Sequence, residues 1–419
     1  MSEADNLVLR ILLDPDHRKN PYPLYEELRN VAPVHHSSLG ATFLTRHADC
    51  QLVLRDPRCG KPDAAWEARF PPPAGIFTAR PSMEIGDDGE EVPALGRSML
   101  TLNPPDHTRV RGLVSRAFTP KRVAGLEPAI VRMLDELLDP IAERGEAEIM
   151  GDLAFRLPVA VIGELVGVPE SDRDQFRGLV RTASALVEPV ATPEVVAEAQ
   201  VAAGTMLEYF EDLIAERRKQ PQDDLLSALI AARDGDDRLS ELELQSTAII
   251  IFLAGFETTT NLIGNGLHAL LTEPDGIGRL RSDAALDDTA IDELLRWDSP
   301  VQLDLRVTFE DVELPGGEVL EAGSRVVTFL GAANHDPAVF TDPGRMDLGR
   351  TDSPILSFAV GPHYCLGASL ARAEGRLVLR GLLDRFSDIE LLDDDPPRRT
   401  GFTLRGFDEL PVRVRTTGR

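Results

Sequence analysis

The feature that most limits the possible folds is the stretch from Ser240 to Pro274, which contains no proline between its ends. Ser240 and Glu243 have the spacing of a capping box, in which each side chain accepts a hydrogen bond from the other residue's backbone N–H. A helix from here to Pro274 has about thirty residues and a length of ~45 Å at 1.5 Å per residue. Residues 248–256 are apolar throughout, and a helix that is apolar on every side is buried. We therefore predict one long helix through the centre of a large, mainly helical protein.

Composition and charge narrow the class of protein. The chain has 419 residues, of which 42% are hydrophobic, as expected for a globular protein with a sizeable core. A formal net charge of −26 opposes binding to nucleic acids and to anionic membranes. Three cysteines are too few for a disulfide framework, and the first fifteen residues lack the apolar segment of a signal peptide. We expect a cytoplasmic protein without nucleic-acid or membrane partners.

No repeat or linker divides the chain, so we predict a single domain over residues 1–419. Helical periodicity dominates approximately 107–297 and 365–384, with breaks at prolines such as Pro140. Short strand patterns occupy approximately 30–60 and 300–330 and the C-terminal residues 385–419. Residues 71–106 are rich in proline and glycine, lack sustained periodicity and are predicted to form a long functional loop. The fold class is mainly α with a small β-rich lobe.

Cys365 lies in a loop containing glycine and proline, directly before a predicted helix. The free N–H groups of a helix N-terminus stabilise a thiolate, and Gly361 and Gly367 permit a flat group to approach the backbone. Without a second cysteine nearby the site suits zinc poorly, but it suits a single axial bond to haem iron. Two alternatives stay open at this point: a buried structural cysteine, and a nucleophilic cysteine with His363 as its base.

The middle of the long helix carries Gly255, Glu257 and Thr258 within an apolar run. Glycine and threonine weaken a helix, by up to ~1 kcal/mol for glycine, and a buried carboxylate is costly unless it is paired or protonated. Such a conflict between local sequence and environment is typical of functional sites. Gly255 would leave room beside a flat ligand, and a threonine hydroxyl can bond to the carbonyl four residues earlier. The alternative is a kinked core helix with Glu257 in a salt bridge.

Two charged pairs are spaced to share a helix face. Glu293 and Arg296 are three residues apart, and His107 and Arg111 are four apart. The second pair presents donors that fit carboxylates, with the bidentate fork of arginine. Taken alone, both patterns are also typical of solvated surface helices.

These segments together resemble the cytochrome P-450 superfamily. The loop Phe358 to Gly367 is similar to the family's haem-binding pattern Phe-x-x-Gly-x-His/Arg-x-Cys-x-Gly, and the other three segments occur in the family's order. The resemblance spans nearly the whole chain and is to the soluble bacterial type. It implies the cytochrome P-450 fold, a single haem-containing domain and haem b (iron protoporphyrin IX) as cofactor.

The resemblance also implies roles for particular residues. Cys365 is the thiolate ligand of iron, Phe358 packs beside its sulfur, and the Gly367 N–H lies near it. Thr258 and Glu257 relay protons to dioxygen on the other side of the haem, and Gly255 belongs to the same motif. The haem propionates are bound by His107, Arg111, Arg306 and His363. Glu293 and Arg296 form a structural pair, completed by a later region around Asn334 and His335.

Two positions depart from the family pattern. Ala359 stands where the family usually has glycine, and we expect the loop to adjust to the methyl group. His335 stands where the family commonly has arginine, so the third member of the Glu293–Arg296 network is expected to differ or to depend on pH.

The resemblance further implies a monooxygenase that inserts one oxygen atom of O2 into a bulky, largely apolar substrate, by hydroxylation or epoxidation, in secondary metabolism such as polyketide or macrolide tailoring. The pocket walls are expected from residues 76–100 and from Ile251, Ala254, Val301, Leu303, Phe402 and Thr403. Electrons would come from a ferredoxin and ferredoxin reductase, docking near Arg109, Arg116, Arg372 and Arg376. We expect a monomer whose substrate is free or bound to a carrier protein. The alternatives are an atypical outcome, such as oxidative coupling or desaturation, and a haem-binding protein without turnover.

Overall fold

The computed structural model describes residues 1–71, 83–85, 91–93, 98–188, 191–233, 237–351 and 353–417. The helices are α1 Glu3–Leu13, α2 Pro15–Lys19, α3 Tyr22–Val31, α4 His47–Arg55, α5 Ala64–Arg69, α6 Asp106–Ala117, α7 Pro120–Arg144, α8 Arg156–Val166, α9 Glu170–Arg173, α10 Phe176–Ala183, α11 Pro193–Lys219, α12 Leu225–Ala231, α13 Glu241–Thr272, α14 Gly276–Ser282, α15 Asp287–Trp297, α16 Leu330–Ala333 and α17 Ala368–Arg385. Short helical segments of other types are Met150–Ala154, Ser184–Val187, Ala284–Leu286 and Gly361–His363. The strands are β1 Val34–His36, β2 Thr42–Leu44, β3 Cys59–Gly60, β4 Met83–Ile85, β5 Glu91–Pro93, β6 Glu146–Glu148, β7 Leu303–Thr308, β8 Val312–Glu313, β9 Val319–Leu320, β10 Arg325–Phe329, β11 Phe386–Leu391 and β12 Pro411–Thr416.

Helix α13 is the long central helix predicted from the sequence. Its capping box is formed: Ser240 Oγ accepts from the Glu243 N–H at 3.3 Å, and Glu243 Oε2 accepts from the Ser240 N–H at 2.9 Å. The helix packs against α8, α11, α15 and α17, and most of its side chains are buried. In the part of the chain that is described, α13 alone is long and apolar enough to cross a membrane, and most of that stretch is buried inside the protein. Helix α13 therefore carries the centre of the core.

The β-rich lobe is built on a five-stranded sheet in the order β1-β2-β10-β7-β3. Strand β2 pairs in parallel with β10, and the other neighbours are antiparallel. The register places Val327 opposite Phe43 and Val326 opposite Arg306. Arg306 is buried on β7 and interacts electrostatically with His107 of α6, so this register places it between the sheet and α6.

The second sheet has three antiparallel strands in the order β11-β12-β6. Strand β6 lies inside residues 107–297, which the sequence analysis assigned to helices, because three residues are too few for an alternating pattern to be recognised. The helix break predicted at Pro140 is also wrong: Pro140 lies within α7, whose terminus is set by Gly145 in the left-handed conformation.

The described part of residues 71–106 contains a pair of strands that the sequence pattern did not predict. Strands β4 and β5 form an antiparallel hairpin, with Met83 opposite Pro93. The remaining parts of the expected pocket wall, residues 76–82, 86–90 and 94–97, lie outside the described residues.

Candidate active site

The Cys365 loop is shaped by its backbone. The segment Gly361–His363 forms one helical turn, and Gly367 caps α17. The Cys365 N–H donates to the Phe358 carbonyl oxygen at 2.9 Å, which closes the loop on itself. Burial raises the pKa of the Cys365 thiol, while the Gly367 N–H and the charges of Arg111 and Arg372 act in the opposite direction. These three groups alone do not offset the effect of burial. When a metal cation also lies beside the sulfur, the thiolate is favoured over the thiol.

Two loop residues adopt the left-handed backbone conformation. Gly361 has φ +77°, and a Cβ there would lie 2.5 Å from the Leu54 carbonyl oxygen, so only glycine fits. Ala359 has φ +54°, a region that residues with a Cβ rarely occupy. The departure from the family pattern at Ala359 thus places a methyl group where the backbone favours glycine, and the loop keeps the glycine-like conformation.

The middle of α13 interrupts an otherwise buried helix. Ala254 is exposed and Thr258 is partly exposed, whereas Phe252, Phe256 and Glu257 are buried. The Thr258 hydroxyl donates to the Ala254 carbonyl oxygen at 2.7 Å, the bond expected for threonine within a helix. Ala254 and Thr258 therefore present a small, accessible surface on one side of the helix.

The prediction for Gly255 needs correction. A Cβ at this position would lie 2.9 Å from Ile162 Cδ1 of α8. The missing side chain therefore makes room for the close packing of two helices, rather than for a flat ligand. Helix α13 turns its side chains through about 100° per residue, so adjacent residues such as Ala254 and Gly255 point to different neighbours.

Glu257 is buried and forms an ion pair with Arg399, from the segment between β11 and β12. Burial and the charge of Arg181 lower the pKa of Arg399 to about 10. Asn261, one turn further along α13, is also buried, and neither atom of its amide has a hydrogen-bond partner among the described residues. The structure thus brings Glu257, Asn261 and Arg399 into one polar cluster behind Thr258. No local pattern indicates Arg399 as a partner, because it lies 142 positions after Glu257 in the chain.

Buried side-chain nitrogens of histidine and arginine meet at the start of α6 and on β7. The His107 and His363 rings lie 4.2 Å apart, centre to centre. His107 Nε2 and Arg306 Nη2 are both buried, and neither has a hydrogen-bond partner in the described structure. Burial and nearby arginine lower the pKa of His107, and burial, Arg306 and Lys61 lower that of His363 to about 3. Unpaired buried nitrogens of this kind are costly, so they indicate a site suited to a hydrogen-bonding group such as a carboxylate.

Lys61 and Asp304 complete the cluster and were not predicted as part of it. Asp304 accepts from Arg306 Nη1 at 2.5 Å and from Lys61 Nζ at 2.6 Å. Burial raises the pKa of Asp304, but Arg306 and Lys61 outweigh it and lower the pKa overall; burial and Arg306 lower the pKa of Lys61 to about 8. The carboxylate of Asp304 fixes Arg306 Nη1, which leaves Nη2 as the donor for a ligand.

Arg111 lies on the same face of α6 as His107. Its Nη2 donates to the Tyr364 carbonyl oxygen at 2.7 Å, and its Nη1 lies 3.9 Å from the Met99 sulfur. Arg111 is partly exposed. The side chain therefore ties α6 to the residue next to Cys365, and its predicted propionate contact stays a prediction.

Glu293 and Arg296 form a buried pair at the base of the site. Arg296 Nε and Nη2 each donate to the Glu293 carboxylate at 2.7 Å, and both side chains are fully buried. The third member is Arg350, whose Nε lies 3.0 Å from Glu293 Oε2. The network thus differs in its third member, which is one of the two outcomes expected from the departure at His335. His335 Nε2 instead lies 3.0 Å from the Trp297 carbonyl oxygen, and burial together with Arg296 lowers the pKa of His335 to about 3.

The six predicted pocket residues fall into two groups. Leu303 and Phe402 lie in the buried cluster of the β-rich lobe. The Thr403 hydroxyl donates to the Val187 carbonyl oxygen at 3.0 Å. Ile251 is buried, with 6% of its surface exposed. Ala254 is exposed and Val301 is partly exposed. Val301 also pairs with Leu404 in an isolated β-bridge. Of the six predicted residues, Ala254 and Val301 are accessible, and Leu404, the bridge partner of Val301, is partly exposed beside them.

The chain can be compared with known proteins once this geometry is described. The family model described as "Cytochrome P450" matches residues 76–407. Cytochrome P450 107B1 of Saccharopolyspora erythraea is 41% identical over 380 residues, covering 90% of each chain. The chain belongs to the cytochrome P450 family. It is accordingly a cytochrome P450 monooxygenase, with a haem-thiolate iron cofactor.

Two further comparisons broaden this picture. The 6-deoxyerythronolide B hydroxylase of Saccharopolyspora erythraea is 38% identical over 399 residues, covering 94% of this chain and 96% of the relative. The crystal structure of P450BioI in complex with acyl carrier protein ligated to hexadec-9Z-enoic acid superposes with a TM-score of 0.85 at 33% identity. That match covers 96% of this chain and 99% of the neighbour. The predicted family and the mainly α fold are therefore confirmed.

The residues present in this P450 fit a haem. The donor set combines one thiol in a loop shaped for close approach with two buried, unpartnered N–H groups of the described structure, His107 Nε2 and Arg306 Nη2. A porphyrin with a metal centre and carboxylate side chains satisfies both requirements.

Proposed function

We propose that this P450 inserts one oxygen atom of O2 into a bulky, largely apolar substrate of secondary metabolism, by hydroxylation or epoxidation, with a ferredoxin and ferredoxin reductase as electron source. The proposal includes haem b as the cofactor, a cytoplasmic location and a monomeric enzyme. The observation that carries it is the pair of buried, unpartnered nitrogens His107 Nε2 and Arg306 Nη2, with His107 beside the His363 ring of the Cys365 loop.

Each of these residues has a defined task. Cys365 supplies the thiolate, and the Gly367 N–H and the Arg111 charge stabilise its negative charge. His107 and Arg306 donate to the propionates, with His363 beside His107. Haem, when bound, supplies the iron at which O2 is reduced by two electrons and two protons, so that one oxygen atom enters the substrate and the other leaves as water.

Proton delivery is assigned to the polar cluster of α13. Thr258 offers a hydroxyl on the accessible side of the helix, and Glu257 lies next to it with Arg399 as its partner. The Thr258 hydroxyl is bonded to the Ala254 carbonyl, which leaves its oxygen free to accept a hydrogen bond from water. The Glu257 carboxylate is ionised in its pair with Arg399, so it must first loosen that pair and take up a proton from water before it can pass one on. Thr258 is therefore the group that orders water at the site, and Glu257 is the group that supplies the proton.

The substrate class follows from the accessible wall and from the relatives. Ala254, Val301 and Leu404 are apolar, which favours an apolar ligand. The relatives include a hydroxylase of 6-deoxyerythronolide B and an enzyme crystallised with a fatty acid on acyl carrier protein. A polyketide or macrolide substrate, free or bound to a carrier protein, is consistent with both. The same wall is consistent with the alternative, an oxidative coupling or desaturation on the same haem.

The expected ferredoxin site requires one adjustment. Arg372 lies 2.6 Å from Asp292, Arg376 lies 3.0 Å from Glu127, and Arg109 pairs with Glu243. In a chain with 70 acidic and 44 basic residues, acids are available to neutralise most arginines. The arginines around Cys365 are therefore largely neutralised by neighbouring acids and do not form a strongly basic patch. The binding of ferredoxin to this face should consequently depend only weakly on ionic strength.

The test starts with the haem. The purified protein should bind one haem and give the carbon monoxide spectrum of a thiolate-ligated iron in the reduced state, and Cys365→Ser should abolish that spectrum. A library of macrolides, polyketides and fatty acids, screened by spin-state shift, then identifies ligands for turnover with ferredoxin and its reductase. Survival of the thiolate spectrum in Cys365→Ser would contradict the ligand assignment, and absence of turnover with any shifting ligand would favour the non-catalytic alternative.

A further inference from the structure

The turn between Gly401 and Leu404 is held by one carboxylate from a distant element. Glu188, directly after the helical turn Ser184–Val187, accepts hydrogen bonds from three consecutive backbone N–H groups. Its Oε2 accepts from Phe402 at 2.8 Å and from Thr403 at 3.0 Å, and its Oε1 accepts from Leu404 at 3.4 Å. We call this set of three bonds the Glu188 clasp.

The turn is shaped to receive this carboxylate. A Cβ at Gly401 would lie only 2.6 Å from Glu188 Oε1, so a glycine allows the approach. The Thr403 hydroxyl adds a fourth link, to the Val187 carbonyl oxygen at 3.0 Å. Three N–H groups that converge on one carboxylate form a charge-assisted contact, which is stronger than a contact between neutral groups.

The other side of the same turn is anchored to the β-rich lobe. The Gln302 N–H donates to the Thr403 carbonyl oxygen at 2.9 Å, and Val301 pairs with Leu404. The turn therefore connects two separate elements. One is the segment before β7, which is held by the five-stranded sheet. The other is the α10 region, by which we mean α10, the helical turn Ser184–Val187 and Glu188. Among the described residues, the hydrogen bonds of Glu188 and Thr403 join the end of α10 and its following turn to residues 401–404.

We propose that Glu188 is a positioning residue that fixes the 401–404 turn against the end of the α10 region, and thereby limits the size of ligand that reaches the haem. This inference rests on the proposed function, because it takes Val301 and Leu404 as part of the substrate wall. Loss of the clasp frees the α10 end from that wall. Bulky ligands then enter and leave faster, while a small ligand that passes without displacing the turn is unaffected.

The charge of Glu188 also reaches the polar cluster of α13. Arg399 interacts electrostatically with Glu188 and Asp408, in addition to its ion pair with Glu257. One arginine thus lies between the clasp and the acid assigned to proton delivery. The clasp consequently restrains a part of the wall that lies close to the catalytic helix.

The experiment measures azole binding to the haem-loaded protein by stopped-flow absorbance. Imidazole is the small probe and clotrimazole the bulky one, and both are followed at the haem. In Glu188→Gln the amide keeps the size of the side chain but loses its charge, and the clotrimazole association and dissociation rates should rise about tenfold, as expected for one lost charge-assisted contact. Imidazole rates should stay within about twofold, because this probe needs no displacement of the turn.

The chain offers a matched control. The Glu148 carboxylate also accepts three backbone N–H groups, from Met150 at 3.0 Å, Gly151 at 2.5 Å and Leu410 at 2.8 Å, but at the three-stranded sheet. Glu148→Gln should therefore leave both azole rates as in the wild type. A second variant, Thr403→Val, removes the fourth link alone and should accelerate clotrimazole to a smaller extent.

The outcomes separate this inference from the proposed function. If the wild type shows no azole shift or no thiolate spectrum, the proposed function fails. If the wild type binds both azoles, the Glu188 inference is overturned when clotrimazole rates in Glu188→Gln equal those of the wild type, or when imidazole accelerates equally. Should Glu188→Gln not fold, the rates of Thr403→Val decide in the same way.

Discussion

The buried Glu293–Arg296 pair gives the sharpest test of how the core is held together. Both side chains have no exposed surface, and two hydrogen bonds of 2.7 Å join them. The same carboxylate accepts from Arg350 Nε at 3.0 Å and from the Asp347 N–H at 2.8 Å. Replacing Glu293 by glutamine keeps the shape of the side chain but removes the negative charge that Arg296 and Arg350 share.

The expected cost follows from what Arg296 loses. Breaking a buried ion pair by removing one partner destabilises a protein by about 3–5 kcal/mol. Arg296 Nη1 still donates to the Asn334 and Pro343 carbonyl oxygens, at 3.1 and 3.0 Å. The glutamine oxygen can also accept one of the former hydrogen bonds. We therefore expect a loss at the lower end, about 3 kcal/mol in the free energy of unfolding.

Urea denaturation followed by far-ultraviolet circular dichroism measures this loss. The matched control is Glu164→Gln, where the acid is 48% exposed on its side chain and lies 3.0 Å from Arg173. An exposed pair contributes less than about 1 kcal/mol, so this variant should unfold close to the wild type. If Glu293→Gln differs from Glu164→Gln by less than about 0.5 kcal/mol, the reasoning about the unpaired buried guanidinium is refuted.

Three further predictions rest on single positions. Ala359→Gly should stabilise the protein by about 0.5–1 kcal/mol, because relief of the left-handed conformation at φ +54° outweighs the added freedom of glycine in the unfolded chain; an unchanged or lower urea midpoint would contradict this. The pKa of His335 is lowered to about 3 from an ordinary value of 6.5, so as the pH falls below 6.5 the unfolded chain takes up a proton that the folded protein does not. Between pH 6.5 and 4.5 the wild type should therefore lose about 2 kcal/mol more stability than His335→Gln, and parallel stability curves would refute the assignment. Thr258→Ala should leave haem binding intact but raise hydrogen peroxide release per NADPH consumed with a ligand from the spin-state screen, and unchanged coupling would remove Thr258 from the relay.

Much of the architecture was predictable because its signals are local. The capping box at Ser240, the apolar run of α13 and the glycines around Cys365 lie within a few residues of the structure they determine. Gly255 shows the limit of such reasoning. The sequence indicates that a small residue is needed there, but only the packing of α8 against α13 reveals that Ile162, rather than a ligand, occupies the space.

The contacts that the sequence could not supply are those between carboxylates and partners far along the chain. Arg350, and not His335, is the third member of the Glu293 network. A buried carboxylate pairs with the cation that the fold brings within reach. The sequence contains 44 lysine and arginine residues, and their spacing does not indicate which one that is. Glu188 has no cation in direct contact at the 401–404 turn; backbone N–H groups satisfy it instead, and every residue except proline carries one. A carboxylate bonded to main chain therefore leaves no complementary residue to find in the sequence. In the sequence, the sign of this contact is the glycine at position 401, because a side chain there would collide with the Glu188 carboxylate.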